Sequence, residues 1–139
     1  MSAARPYAEL LQRLRAAGLR PTRQRLALAR LLFEKGARHI TADALHAEAE
    51  EAGVGVSLAT VYNTLNQFTA AGLLREVAVE AGRAYFDTNT SDHHHFYFED
   101  NGELVDIPAE GLSVAGVPAA PAGTEVARVD VIVRLKTRG

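Results

Sequence analysis

The stretch Ser57–Gly72, SLATVYNTLNQFTAAG, decides how the rest of the chain is read. Leu58, Val61, Leu65 and Phe68 recur at steps of three and four, so they share one face of an α-helix, and that face seeks a core. The other flank carries Ser57, Ala59, Thr60, Tyr62, Asn63, Asn66 and Gln67. It is short, uncharged and rich in hydrogen-bonding groups, where an ordinary solvated face would favour Lys and Glu, and it reads as a contact surface. Ser57 suits the N-cap, Val56 can staple onto Val61, and Gly72 falls where a left-handed C-cap is wanted.

Three more helices precede it. Pro6 to Ala17 places Tyr7, Leu10, Leu11 and Leu14 at helical spacing, with Pro6 in the first turn and Gly18 at the C-cap. Pro21 forbids continuation, and Thr22 caps a second helix whose buried side is Leu26, Ala29, Leu32 and Phe33, ended by Gly36. Ile40-Thr41 repeats the staple and cap, with Leu45 as the staple partner, for a third helix running to about Ala52. Gly53 and Gly55 then turn the chain toward Ser57. Two helices joined by a short glycine-containing turn, the second with a polar, non-acidic face, make a helix-turn-helix. Leu74–Glu80 and Arg83–Asp87 are β-branched and aromatic runs separated by Ala81-Gly82, so a hairpin follows the contact helix and the unit reads as a winged helix.

Thr88 to Asp92, TNTSD, is polar and without periodicity, which suits a joint. Beyond it, His95–Glu99 and Glu103–Ile107 flank Asn101-Gly102, a two-residue hairpin signal, and Pro108 closes the second strand. The prolines and glycines between Ile107 and Gly123 predict turns around a short strand at Leu112–Val117. Val126–Lys136 alternates, with Val129, Val131, Val133 and Leu135 on one face. The expected fold is α+β: an N-terminal winged helix-turn-helix DNA-binding domain over residues 1–88, a hinge over 89–92, and a small, mainly β dimerisation domain over 93–139. The second unit has only one good apolar face, so a second copy is expected to complete it.

A hydrophobic content of 47% with 23% charged residues is globular, and no run reaches the length of a membrane span. Residues 1–20 scatter their arginines through a helical pattern, unlike a signal peptide, so a cytoplasmic protein without a membrane partner is expected. The absence of cysteine excludes disulfides, thiolate zinc sites and cysteine nucleophiles. The net charge of −2 hides an asymmetry: residues 1–38 hold nine basic and two acidic residues, while the other 101 hold six basic and fifteen acidic. The basic end suits a polyanion, although it would also serve as a solvated helical surface.

His39, Asp87, His93-His94-His95 and Asp106 all fall near the joint. On a strand His93 and His95 point together and His94 points away, which is a ligand geometry. Imidazole and carboxylate donors suit Fe²⁺, Mn²⁺ or Zn²⁺, and five or six mixed donors lean away from tetrahedral zinc. Adjacent histidines can also be a polar loop end, and His39 or Asp106 alone would read as an ordinary surface residue. His46, in mid-helix, reads as structural.

With these residues assembled, Leu-Arg-Pro-Thr-Arg-Gln-Arg at 19–25, Ala-Thr-Val-Tyr-Asn-Thr-Leu at 59–65 and the histidine strand at 93–95 resemble the ferric uptake regulator family over nearly the whole chain. The run His-His-His-Phe-Tyr-Phe-Glu-Asp and the segment at 127–135 are most similar to its iron response regulator branch. The resemblance implies a homodimeric transcriptional regulator, a repressor on an inverted-repeat operator in double-stranded DNA, acting on iron and haem genes. It implies a regulatory metal site for Fe²⁺ or Mn²⁺ at His39, Asp87, His93, His95 and Asp106, and haem binding at His93, His94 and His95. It also implies a DNA contact from Tyr62, with Asn63 where relatives often carry Arg; Ser57 and Thr60 of the polar flank, and Arg20, Arg23 and Arg25 on phosphates or a minor groove, are expected to join them. The paired-cysteine structural zinc site would fall at Phe98 and Asn101 and is absent, and a further ligand position is Val129. A peroxide sensor of the same family, using Fe²⁺ at the same site, is the alternative. A metalloenzyme built on His93 and His95 would lack an additional acid, base or nucleophile set, so catalysis is not expected.

Overall fold

A computed structural model describes residues 4–80 and 83–138, with side chains from Tyr7 onward. The chain divides into two compact units, residues 1–90 and 91–139.

The first unit opens with helices α1 (Ala4–Ala16) and α2 (Arg23–Phe33), a two-residue strand β1 (His39–Ile40), and helices α3 (Ala42–Glu51) and α4 (Leu58–Ala70). Helix starts follow the sequence: the side chains of Thr22, Thr41 and Ser57 accept from the backbone N–H of Arg25, Ala44 and Thr60 at 3.2, 3.2 and 3.1 Å. Each such cap contributes about 1 kcal/mol. Gly72, at φ +83°, lets Leu73 N–H donate to Phe68 C=O at 2.9 Å and its own N–H donate to Thr69 C=O at 3.1 Å, the paired bonds that end α4. Leu14, Leu28, Leu32, Leu45, Val61, Leu65 and Phe68 are fully buried in one core, and the staple pairs Ile40/Leu45 and Val56/Val61 are buried with them. Leu28 joins this core unannounced, and Thr64 is buried beside the open groove between α2 and α4. Tyr7 lies a turn outside the buried Leu10–Leu14 stripe and is exposed. Phe33, expected inside, is half-buried, stacked on Phe68 at 6.3 Å with the Arg13 guanidinium 4.2 Å over its ring. The wing strands β2 (Arg75–Glu80) and β3 (Arg83–Asp87) pair antiparallel, and β1 adds to the other edge of β3, giving the order β1-β3-β2. The wing turn expected at Ala81-Gly82 lies outside the described residues.

The second unit is a three-stranded sheet of order β5-β4-β6, from β4 (His94–Phe98), β5 (Glu103–Ile107) and β6 (Ile132–Leu135). β4 pairs antiparallel with β5 and parallel with β6. Three expectations are corrected here. The hairpin loop is four residues, 99–102, because Phe98 pairs with Glu103. Only Gly102 takes a positive φ, at +74°, while Asn101 uses its side chain to accept from Glu103 N–H at 2.9 Å. Leu112–Val117 is not a strand, and Val114 and Val117 are exposed. The alternating run at Val126–Lys136 is a strand only over Ile132–Leu135, since its pairing with β4 begins at Ile132. A strand persists only where a neighbour takes its N–H and C=O groups. Register puts Phe96, Phe98, Val105, Val133 and Leu135 on one face of this sheet and His95, Tyr97, Leu104 and Asp106 on the other. Among the described residues no helix is long and apolar enough to cross a membrane.

Candidate metal centre and nucleic-acid interface

Each unit carries a histidine and an aspartate set directly opposite each other by antiparallel register. In the first, His39 pairs with Asp87 across β1 and β3, with Nε2 to Oδ2 at 3.1 Å. Asp87 is 1% exposed, and its Oδ1 accepts from Asn89 N–H at 2.9 Å, which fixes the carboxylate plane. In the second, His95 pairs with Asp106 across β4 and β5. His93, just before β4, turns to the same carboxylate: Asp106 Oδ1 lies 3.1 Å from His93 Nε2 and 3.3 Å from His95 Nε2, and the two rings are 4.5 Å apart. Directly opposed residues share a face, so register alone supplies both pairs. The sequence held no signal for β1, because two residues are too few for a period. His94 faces elsewhere and its Nδ1 accepts from Val131 N–H at 3.0 Å, so the three consecutive histidines do not form one set. His46 Nε2 meets the Val56 carbonyl at 3.1 Å and ties α3 to the approach of α4.

The proton inventory at His93 is informative. Its Nδ1 lies 2.6 Å from the Ser91 carbonyl, which can only accept, so Nδ1 carries the hydrogen. In the neutral ring Nε2 is then a lone pair, and it faces a carboxylate oxygen at 3.1 Å. Two acceptors confront each other, an arrangement that a proton or a cation between them satisfies. A carbonyl fixing the distal nitrogen is also how proteins orient metal-bound imidazole. The donor set is nitrogen and oxygen without thiolate, which fits a divalent first-row ion.

The outward flank of α4 is exposed at Ser57, Ala59, Tyr62, Asn63, Asn66 and Gln67. Ser57 Oγ accepts from Thr60 N–H and donates to Thr60 Oγ1 at 3.0 Å, so these two hydroxyls serve the helix start. An open groove between this flank and the start of α2 is lined by Arg20, Gln24, Arg25, Thr60, Asn63 and Gln67. Arg25, expected to contact DNA phosphates or a minor groove, is engaged within the protein. Its Nε and Nη2 donate to Gln67 Oε1 at 3.2 and 3.1 Å, and its Nη1 donates to the Arg20 carbonyl at 2.9 Å. Gln67 follows Asn63 by one helical turn, a spacing that could have marked it as a site residue. The basic surplus of residues 1–38 is likewise dispersed: Arg13 covers Phe33, Arg30 pairs with Glu34 at 3.3 Å, and Lys35 and Arg38 bind Glu48. These two cations, Arg38 foremost, hold the Glu48 carboxyl below the usual carboxylate range. Arg20 and Arg23 are exposed with no ion pair among the described residues.

The sequence profile of the ferric uptake regulator family matches residues 16–132. The chain is 36% identical over 100 residues to the ferric uptake regulation protein of Vibrio anguillarum, covering 71% of this chain and 67% of that protein. It is 38% identical over 110 residues to the peroxide operon regulator of Bacillus subtilis, covering 79% and 75%. Its fold is similar to that of the ferric uptake regulator from Pseudomonas aeruginosa with manganese, at a TM-score of 0.68 and 27% identity over 92% of this chain and 97% of that one. With a profile match across most of its length, the chain belongs to the ferric uptake regulator family, whose members are metal-responsive transcriptional regulators and not enzymes.

Proposed function

We propose that the protein is a homodimeric, DNA-binding repressor whose affinity for an inverted-repeat operator is set by one divalent ion, Fe²⁺ or Mn²⁺, held jointly by His39 and Asp87 of the first unit and His93, His95 and Asp106 of the second. The observation that carries the reading is the opposition of the His93 Nε2 lone pair to the Asp106 carboxylate, and a second histidine–carboxylate contact lies at His39 and Asp87. Bound there, the ion would supply positive charge to acceptors drawn from both sides of the segment 89–92. His93 is oriented for this by Ser91, and Asp87 by Asn89. A ligand shifts a conformational equilibrium only through differential affinity, and an arrangement presenting all five donors binds more tightly than one presenting two or three. The decisive test is DNA binding by the purified protein in metal-free, Mn²⁺, Fe²⁺ and haem-loaded forms in one assay. A gain of tens-fold with either ion is expected, and equal affinity in all four forms would sink the reading. Loss of binding in the haem form alone would support the haem control that the iron response regulator branch implies.

Identity to the peroxide operon regulator favours a second reading, in which the iron form senses peroxide. Under it, brief exposure to hydrogen peroxide abolishes DNA binding by the Fe²⁺ form and spares the Mn²⁺ form. An iron-responsive repressor changes in neither.

On the DNA side, Asn63 and Gln67 suit adenine, Tyr62 apolar contact with a base, and Arg20 and Arg23 phosphates. Arg23→Ala should weaken binding to all sequences and lower the salt slope by about one. Arg25→Ala should instead relax sequence preference, because it releases Gln67. Equal salt slopes and preferences in the two variants would contradict this division. Dimerisation should survive exhaustive chelation in sedimentation, since the chain has no cysteine and the Phe96, Phe98 and Val133 face offers apolar area for a partner. A monomer under those conditions would contradict it.

A further inference from the structure

We infer that Arg38 is a positioning residue for the metal half-site of the first unit, holding the His39 strand to helix α3 through a two-pronged ion pair with Glu48. The inference rests on the metal reading proposed above and adds a residue pair outside the ligand set. β1 is two residues long and cannot hold its own place by strand pairing alone. Arg38 extends it: its N–H donates to Thr88 Oγ1 at 2.9 Å, and Thr88 N–H donates to its carbonyl at 3.1 Å. Arg38 and Thr88 each adjoin a ligand, His39 and Asp87, so the pair flanks the half-site on both strands.

The guanidinium anchors this assembly to two helices. Nη1 donates to the Leu31 carbonyl of α2 at 3.0 Å and to Glu48 Oε1 of α3 at 3.0 Å, while Nη2 donates to Glu48 Oε2. Two parallel bonds fix the plane of the fork, which a lysine ammonium cannot do. The partners' side chains are 19% and 25% exposed, so solvent screens them less than an ordinary surface pair. Lys35 adds a cation 3.4 Å from Glu48 Oε1, keeping the carboxylate in place. A bond network spanning α2, α3 and both ligand-bearing strands is more than a solubilising pair requires.

The test compares Glu48→Ala, Arg38→Lys and His39→Ala in the full chain, reading Mn²⁺ affinity, metal-free DNA affinity, the DNA gain on Mn²⁺ loading, and hydrogen exchange at the Thr88 amide without metal. Supporting partners of metal ligands typically carry 10- to 100-fold in metal affinity, so Glu48→Ala should weaken Mn²⁺ binding about ten-fold. Its metal-free DNA affinity should stay at the wild-type value and its Thr88 amide should exchange faster. Arg38→Lys keeps the charge and loses the fork, and it should follow Glu48→Ala; it also stands in should the alanine variant not fold. If His39→Ala abolishes tight Mn²⁺ binding while both clamp variants keep wild-type affinity and Thr88 protection, the inference is overturned. If His39→Ala leaves Mn²⁺ affinity unchanged, the metal reading fails instead, and Thr88 exchange alone then decides whether the clamp holds the strand.

Discussion

Replacing His93 and His95 together by alanine should abolish the Mn²⁺-dependent gain in DNA affinity. Both imidazoles converge on Asp106 Oδ1, at 3.1 and 3.3 Å, so the pair would supply all the nitrogen donors proposed for the second unit's half-site. Loss of a supporting partner alone costs 10- to 100-fold, and loss of two direct donors should exceed about 100-fold in metal affinity. The double variant leaves His39 as the one nitrogen donor of the proposed five, beside the carboxylates of Asp87 and Asp106, and so small a set binds first-row ions weakly. His46→Ala is the control: its ring serves the Val56 carbonyl, and its loss should leave metal affinity unchanged. Metal titration followed by operator binding checks both. A double variant whose DNA binding still answers to Mn²⁺ would rule out this half-site as the switch.

Phe68→Ala should destabilise the first unit by about 3–5 kcal/mol. Phe68 is 0% exposed, stacks on Phe33 at 6.3 Å and lies in the core with Leu65 and Val61 of the same helix. A loss of that size is a large share of the roughly 5–15 kcal/mol that holds a domain together, so DNA binding should fail on modest warming. The four α-helices among the described residues belong to the first unit, and urea unfolding followed by helical circular dichroism therefore reports on that unit. A shift below about 1 kcal/mol would mean that the surrounding side chains collapse into the space, contrary to the close packing inferred for this core.

Helix boundaries were legible because each is set locally. Thr22, Thr41 and Ser57 cap with their own side chains, and Gly72 ends α4 by adopting a conformation that other residues avoid. Strand ends were less legible, since a strand needs a partner, and that partner can lie far off in sequence. The alternation at Val126–Lys136 runs longer than the ladder that β4 offers, and only four residues are retained. The Asn101-Gly102 signal found the hairpin and mistook its loop, because Asn101 satisfies Glu103 through its side chain and needs no positive φ. At the candidate site, ligand chemistry was readable from residue type, while the means of holding it were not. Asp87 and Asp106 stand opposite His39 and His95 through register, and the Ser91 carbonyl that sets the His93 tautomer carries no sequence signature. The Arg25–Gln67 contact joins residues 42 positions apart, beyond the reach of periodicity.

Strand β3 runs from the wing to Asp87, and its pleat constrains how relatives of this chain can vary. One residue inserted between Arg83 and Asp87 would turn the aspartate to the opposite face of the sheet and away from His39, because side chains alternate with a period of two. Variation in wing length is thus confined to the far end of the hairpin, where the register shift between Ala78 and Glu80 already absorbs an irregularity. A designer wishing to lengthen the wing would add residues between Glu80 and Arg83 and leave β3 at five residues. Insertion tolerance should therefore fall sharply from one end of this strand to the other, a gradient that a scan of single-residue insertions would trace directly.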